Sequence, residues 1–202
     1  LTGTFYIRGN SSIVIGGTGS LPDNFNSYSV SSSSRVEYGG GDQTIRAVMY
    51  GNLVLSGSGI KTVTENFSVS GNTTFIGSIV ALLNNVTPST TGTLILGSQA
   101  AASGTWGSTA SAAGHRNDVW FSESGTGILT VSSTIPPGTW LGAISSNWNA
   151  PANWAGGAVP GITTDVIIPG YAINDAVITG FSSPVLCNNL TISSGRSLTI
   201  DP

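Results

Sequence analysis

The sequence predicts an all-β chain whose short strands coil on one another as a β-solenoid. Three observations lead there. Strand-like segments recur along all 202 residues with no helical period. Charged residues make up only 7% of the chain, against about 25% in ordinary soluble domains. Short stretches also repeat one another, which is the mark of stacked architectures.

The predicted strands follow in order over 4–8, 11–16, 27–37, 43–49, 52–56, 60–64, 66–70 and 73–83, then 92–97, 118–121, 127–132, 164–168, 176–179, 185–192 and 196–200. Each is rich in Val, Ile, Thr, Tyr or Phe and is bounded by Gly, Asn, Ser or Pro. No 12-residue window free of Gly and Pro places apolar residues at i, i+3, i+4 and i+7. Even the Ala-rich stretch SQAAASGTWGSTASAAGH, at 98–115, is broken by Gly and Ser every few residues.

Repetition then chooses between architectures. NLVLSGSG at 52–59 returns as NLTISSG at 189–195, and YSVSSS at 28–33 returns as FSVSGN at 67–72. A sandwich made of tight hairpins would carry Asn-Gly or Asp-Gly turns. The sequence holds neither pair. A solenoid instead stacks equivalent residues of successive coils about 4.8 Å apart. Rows of like charge would repel at that spacing, whereas rows of Ser, Thr and Asn hydrogen-bond along the stack. The composition suits the solenoid.

Composition shifts at STIPPGTW, 133–140, where a double proline makes a stiff connector. The expected organisation is therefore a β-helix module, or its C-terminal part, over residues 1–135. Residues 136–202 open a following module with a Trp- and Pro-rich capping loop.

Several function classes fall away. Apolar runs such as 79–83 and 166–168 are far short of the ~20 residues that a spanning helix needs. A net charge of −3, with no cluster of Lys or Arg, opposes nucleic-acid binding. Cys187 is the only cysteine, so no internal disulfide can form. The chain starts at Leu1 with neither an initiator Met nor a signal pattern, and it reads as a piece of something larger.

Three stretches carry a likeness. SSRVEYGGGDQTIRAVMYGNLVLSGSGIKTV (33–63), ASGTWGSTASAAGHRNDVWFSESGTGILTV (102–131) and TWLGAISSNWNAPANWAGGAVPGITTDVIIP (139–169), the last followed by CNNLTISSGRSLTI (187–200), resemble elements of very large repetitive surface adhesins of Bacteroidota. The resemblance implies right-handed parallel β-helix folding, type IX secretion and a place on the surface of a Gram-negative cell, as in gliding-motility adhesins. Its implied partners are neighbouring modules of the same parent chain, and surface glycans or other cells. The function expected is a stiff structural rod or filament for attachment or motility, with no catalytic residue.

His115 and Asp118 would make a base and its orienting carboxylate, but no Gly-x-Ser-x-Gly elbow accompanies them. A polysaccharide-degrading β-helix enzyme would need paired carboxylates, and the nine acids are scattered. Calcium is the one cofactor that the sequence suggests. Asp23-Asn24-Phe25-Asn26 offers alternating oxygens without a full calcium-loop pattern, and an Asx-turn explains the same residues. Trp148 and Trp154 are the candidate ligand contacts of the alternative reading, a carbohydrate-binding module, since flat aromatic faces suit sugar rings. With Trp140 they equally suit a cap over an apolar coil.

Overall fold

A strand of three or four residues cannot hold its own shape in water, so each must borrow hydrogen bonds from the turn above and the turn below. The computed structural model describes residues 3–97, 99–133, 135–170, 172–180 and 184–201. It shows that borrowing throughout: the chain is an all-β solenoid of about nine turns. No α-helix occurs among the described residues. The chain divides into two units, Leu1–Gly97 with Ser103–Ser133, and Ser98–Ala102 with Thr134–Pro202.

The first unit holds a two-stranded parallel sheet, Thr4–Ile7 with Ser27–Val30, and three larger sheets that carry the stack. One sheet runs through Ser12–Ile15, Arg35–Tyr38, Asn52–Leu55, Thr73–Phe75 and Leu94–Leu96, all parallel. A second stacks Gln43–Ile45, Ser58–Val63 and Ser78–Leu83. The third stacks Met49–Tyr50, Ser68–Val69, Ser89–Thr90 and Leu129–Val131. One strand from each sheet makes a coil, as in 52–55, 58–63 and 68–69. Leu53 pairs with Thr73 and Thr73 with Leu94, so those coils take 20 residues (53 to 73) and 21 residues (73 to 94).

That period makes equivalent residues sit on one another. Val36, Leu53, Thr73 and Leu94 form one fully buried row, and Tyr38, Leu55, Phe75 and Leu96 form another. Two kinds of corner keep the register. At the first, Gly57 (φ 77) and Gly77 (φ 86) turn the chain in the left-handed region that favours glycine. A Cβ on Gly77 would fall 2.5 Å from the Gly57 carbonyl oxygen, so glycine is required twice over. At the second, side-chain amides stand in for the next coil's carbonyl. Asn72 N–H donates to Asn52 Oδ1 (3.0 Å), Thr93 N–H donates to Asn72 Oδ1 (2.9 Å), and Asn52 Nδ2 donates to Ser34 O (3.2 Å).

The structure differs from the predicted strands in places. Segment 27–37 is two strands, Ser27–Val30 and Arg35–Tyr38, broken by a serine corner, and 73–83 divides at Ile76-Gly77. Residues 118–120 form a turn, and only Phe121 bridges back to Ala81. Strands at Ser89–Thr90, Gly104–Gly107 and His115–Arg116 carry too few β-branched residues to be read locally. Gly104–Gly107 also runs antiparallel to Leu129–Val131 in the otherwise parallel third sheet, and His115–Arg116 pairs beyond it as the edge strand.

The second unit has three rungs. Thr139 bridges Ile167, which pairs with Thr191, and Asn147 bridges Val177, which pairs with Thr199. The Trp-rich segment is thus its first rung.

Row packing makes two substitutions informative. Leu53→Ala, in the fully buried row, is expected to cost ~3 kcal/mol in urea unfolding. Thr73→Val should instead stabilise by ~1 kcal/mol, because the Thr73 hydroxyl is buried between leucines with no hydrogen-bond partner.

Candidate functional site

The tryptophans proposed as ligand contacts belong to the core. Trp140, Trp148 and Trp154 are 0%, 2% and 0% exposed and pack on Val166, Ile168, Ala176 and Ile178. Trp154 meets Trp140 and Trp148 edge-on, at 4.9 and 4.6 Å, and Trp140 stacks with Trp148 at 6.2 Å. Their faces are spent on one another, which leaves no open indole platform for a sugar. Asn153, itself fully buried, ties the segment down. Its Oδ1 accepts from Ile144 and Ser145 N–H, while its Nδ2 donates to Ser145 Oγ and Asn147 O.

His115 and Asp118 do not pair. His115 stacks on Trp106 at 4.6 Å, whereas Asp118 accepts from Thr109 N–H and Oγ1, both at 2.8 Å. The Thr109 backbone bond is the main reason the Asp118 carboxyl titrates below its usual range. The two residues are close in sequence, but the strand ending at Arg116 and the following turn aim them apart.

Other acids tie coils together. Glu37 accepts from Ser56 Oγ and pairs with Arg35 at 2.6 Å. Asp42 Oδ1 accepts from Ile60 N–H (2.7 Å), and Asp165 Oδ1 accepts from Asn188 and Asn189. Among the described residues, no group of three His, Cys, Asp or Glu side chains is placed to hold a metal.

Two polar constructions escaped the sequence reading. Lys61, the single charge in YGNLVLSGSGIKT, is fully buried. Its Nζ donates to Gly40 O (2.9 Å), Gly41 O (2.6 Å) and Gln43 Oε1 (2.8 Å), so every ammonium proton is used. Burial pushes its pKa down, and the nearby Asp42 pushes it back up. Gln43 is fixed in turn, since its Nε2 donates to Ile15 O and Gly19 O. The second construction is a closed ring. Arg46 N–H donates to Tyr38 Oη (3.2 Å), Tyr38 and Tyr50 share a hydroxyl bond (3.0 Å), and Tyr50 Oη donates to Arg46 O (2.6 Å). Desolvation, with Tyr38 adding to it, raises the Tyr50 phenol far above its ordinary value.

Arg46, whose backbone that ring holds, also lines a groove of about 750 Å³. Asp23, Phe25, Asn26 and Tyr28 line it together with Arg46 and Glu65. The Arg46 guanidinium rests on the Tyr28 ring, 4.6 Å from its centroid. Asp23 and Asn26, the calcium candidates, thus share their surface with a fixed cation, an arrangement that opposes a metal ion there. Position 46 and positions 64–65 lie about one coil period apart, but nothing local in the sequence marks them as neighbours.

The second unit matches a known family model. Residues 139–202 are similar to a family described as Domain of unknown function (DUF8693). The match begins at the first tryptophan rung and covers the three rungs that follow the Pro-Pro connector. No curated protein and no solved structure matches the chain.

Two measurements check these assignments. Lys61→Met should lower unfolding stability by ~2 kcal/mol, since Gly41 O loses its ammonium donor and Gly40 O and Gln43 Oε1 each lose one of two donors. Thr109→Val should raise the Asp118 pKa part of the way toward the ordinary carboxylate value, read by NMR titration. The sign follows from linkage: with its folded pKa depressed, Asp118 contributes stability above the unfolded carboxylate value and loses it as pH falls through the folded one. The variant should lose part of that contribution.

Proposed function

We propose that this chain is a structural segment of a large secreted cell-surface adhesin or fibre, working as a stiff stacked rod for attachment or motility. The observation that carries the reading is the first sheet of the first unit, where five strands from successive coils stay parallel and in register. In such a stack each coil buries little alone, and nearest-neighbour contacts supply the stability. A load along the axis is then shared by many backbone hydrogen bonds and buried rows. The role is mechanical rather than catalytic. Several of its carboxylates tie coils: Glu37 to Ser56, Asp42 to Ile60 and Asp175 to Arg196.

The likeness to repetitive Bacteroidota adhesins supplies the biological setting: type IX secretion, a surface location and gliding motility. Weak contacts repeated along a rod would add through effective concentration. Neighbouring modules of the same parent are the expected partners. Buried indoles weaken the alternative in which the Trp-rich segment grips a glycan.

Antibodies against this chain should label intact cells of the source bacterium, and surface proteolysis should remove the signal. Deleting the parent gene should reduce attachment or gliding. Antigen released only on lysis, with attachment and gliding unchanged in the deletion, would overturn the reading.

A further inference from the structure

The groove lined by Arg46 has features that the rod role does not require. Its volume of about 750 Å³ falls within the ~300–1,000 Å³ span of small-ligand sites. One wall is the 20–28 excursion, and the other comes from residues 44–47 and 64–65 of two successive coils. We propose that this groove binds an uncharged oligosaccharide.

The first support is spare hydrogen-bonding capacity. Several polar side chains elsewhere in the unit are spent on the neighbouring coil: Asn52, Asn72, Gln43 and Thr90 all bond across the stack. In the groove, the side chains of Asp23, Asn26, Thr44, Thr64 and Glu65 make no hydrogen bond among the described residues, although all converge on one concavity. Carboxylates accept from sugar hydroxyls, guanidinium donates to them, and an amide does both. Phe25 and Tyr28 add apolar surface for the C–H faces of a ring.

The second support is preorganisation. The tyrosine ring bonds both the backbone N–H and the carbonyl of Arg46, and the Tyr28 face holds its guanidinium. No carboxylate pairs with that guanidinium among the described residues. Tyr28 Oη donates to Pro22 O, and Phe5 packs on both Phe25 (5.2 Å) and Tyr28 (6.0 Å), so the excursion is held as a fixed wall. Donor and acceptors are therefore set before a ligand arrives, which lowers the entropic cost of binding.

Charge selects the ligand class. One guanidinium faces two carboxylates, Asp23 and Glu65, a mixture that disfavours polyanions and gives polycations no uniform field. A polyhydroxylated neutral chain satisfies both signs. This inference stands apart from the rod reading, since a recognition groove would function on any rigid support.

The test is titration calorimetry of the purified chain with gluco-, manno-, xylo-, galacto- and N-acetylglucosamine-based tetrasaccharides, with sulfated and uronate-bearing oligosaccharides as comparison arms. Saturable binding of at least one uncharged sugar is expected. Arg46→Ala and Glu65→Gln should each weaken it on the order of ten-fold. Glu65 is exposed and outside the core, so Glu65→Gln keeps the fold and decides the matter should Arg46→Ala prove unstable. Binding confined to the charged sugars, no binding of any uncharged sugar, or affinity unchanged in Glu65→Gln would overturn the proposal.

Discussion

Backbone hydrogen bonding between successive coils is the constraint from which the rest of this molecule follows. A strand such as Thr73–Phe75 is satisfied only because Asn52–Leu55 lies on one side and Leu94–Leu96 on the other. Each position therefore sees its own equivalent about 4.8 Å away, twice. Apolar rows gain from that repetition, and hydroxyl or amide rows can bond along it. Charge rows would repel, which accounts for the scarcity of charge. It also accounts for the corners, where Gly57 and Gly77 leave no room for a Cβ against the coil below.

Polar groups inside such a stack need full satisfaction, because water cannot reach them. The first unit meets that need in closed sets. Lys61 spends all three ammonium protons on Gly40, Gly41 and Gln43, and Gln43 spends its amide on Ile15 and Gly19. One buried cation thereby fastens the Gly39–Gly41 corner to two coils. Tyr38 and Tyr50 do the same for the backbone of Arg46. The hydroxyls of Thr73, Thr74 and Thr93 are exceptions, buried without a partner.

Rigidity would connect the two proposed roles. A stack stiff enough to carry load would also hold a surface side chain where it stands, and Arg46 shows how. Its backbone is fixed from beneath by the core, and its guanidinium from above by an aromatic face. In the second unit the same interior economy consumes the tryptophans. They fill a small core whose strands supply little bulk beyond Val166, Ile168 and Ile178.

Local chemistry alone made the β class and the stacked architecture readable, since alternation, glycine turns and charge depletion are properties of neighbouring residues. It placed Asn52–Leu55 and Ser58–Val63 closely, and it flagged the change of character at the Pro-Pro connector. It could not tell that Lys61 is buried, because a lysine after Gly-Ile looks like any surface lysine. His115 and Asp118 looked like partners for the opposite reason, since nearness in sequence says nothing about where a turn points. The groove was invisible for a third: Asp23, Arg46 and Glu65 meet only after the coils stack. Pattern and period were the sequence's to determine; which side chains face inward, and which meet across coils, was decided by register, a property that no single strand possesses.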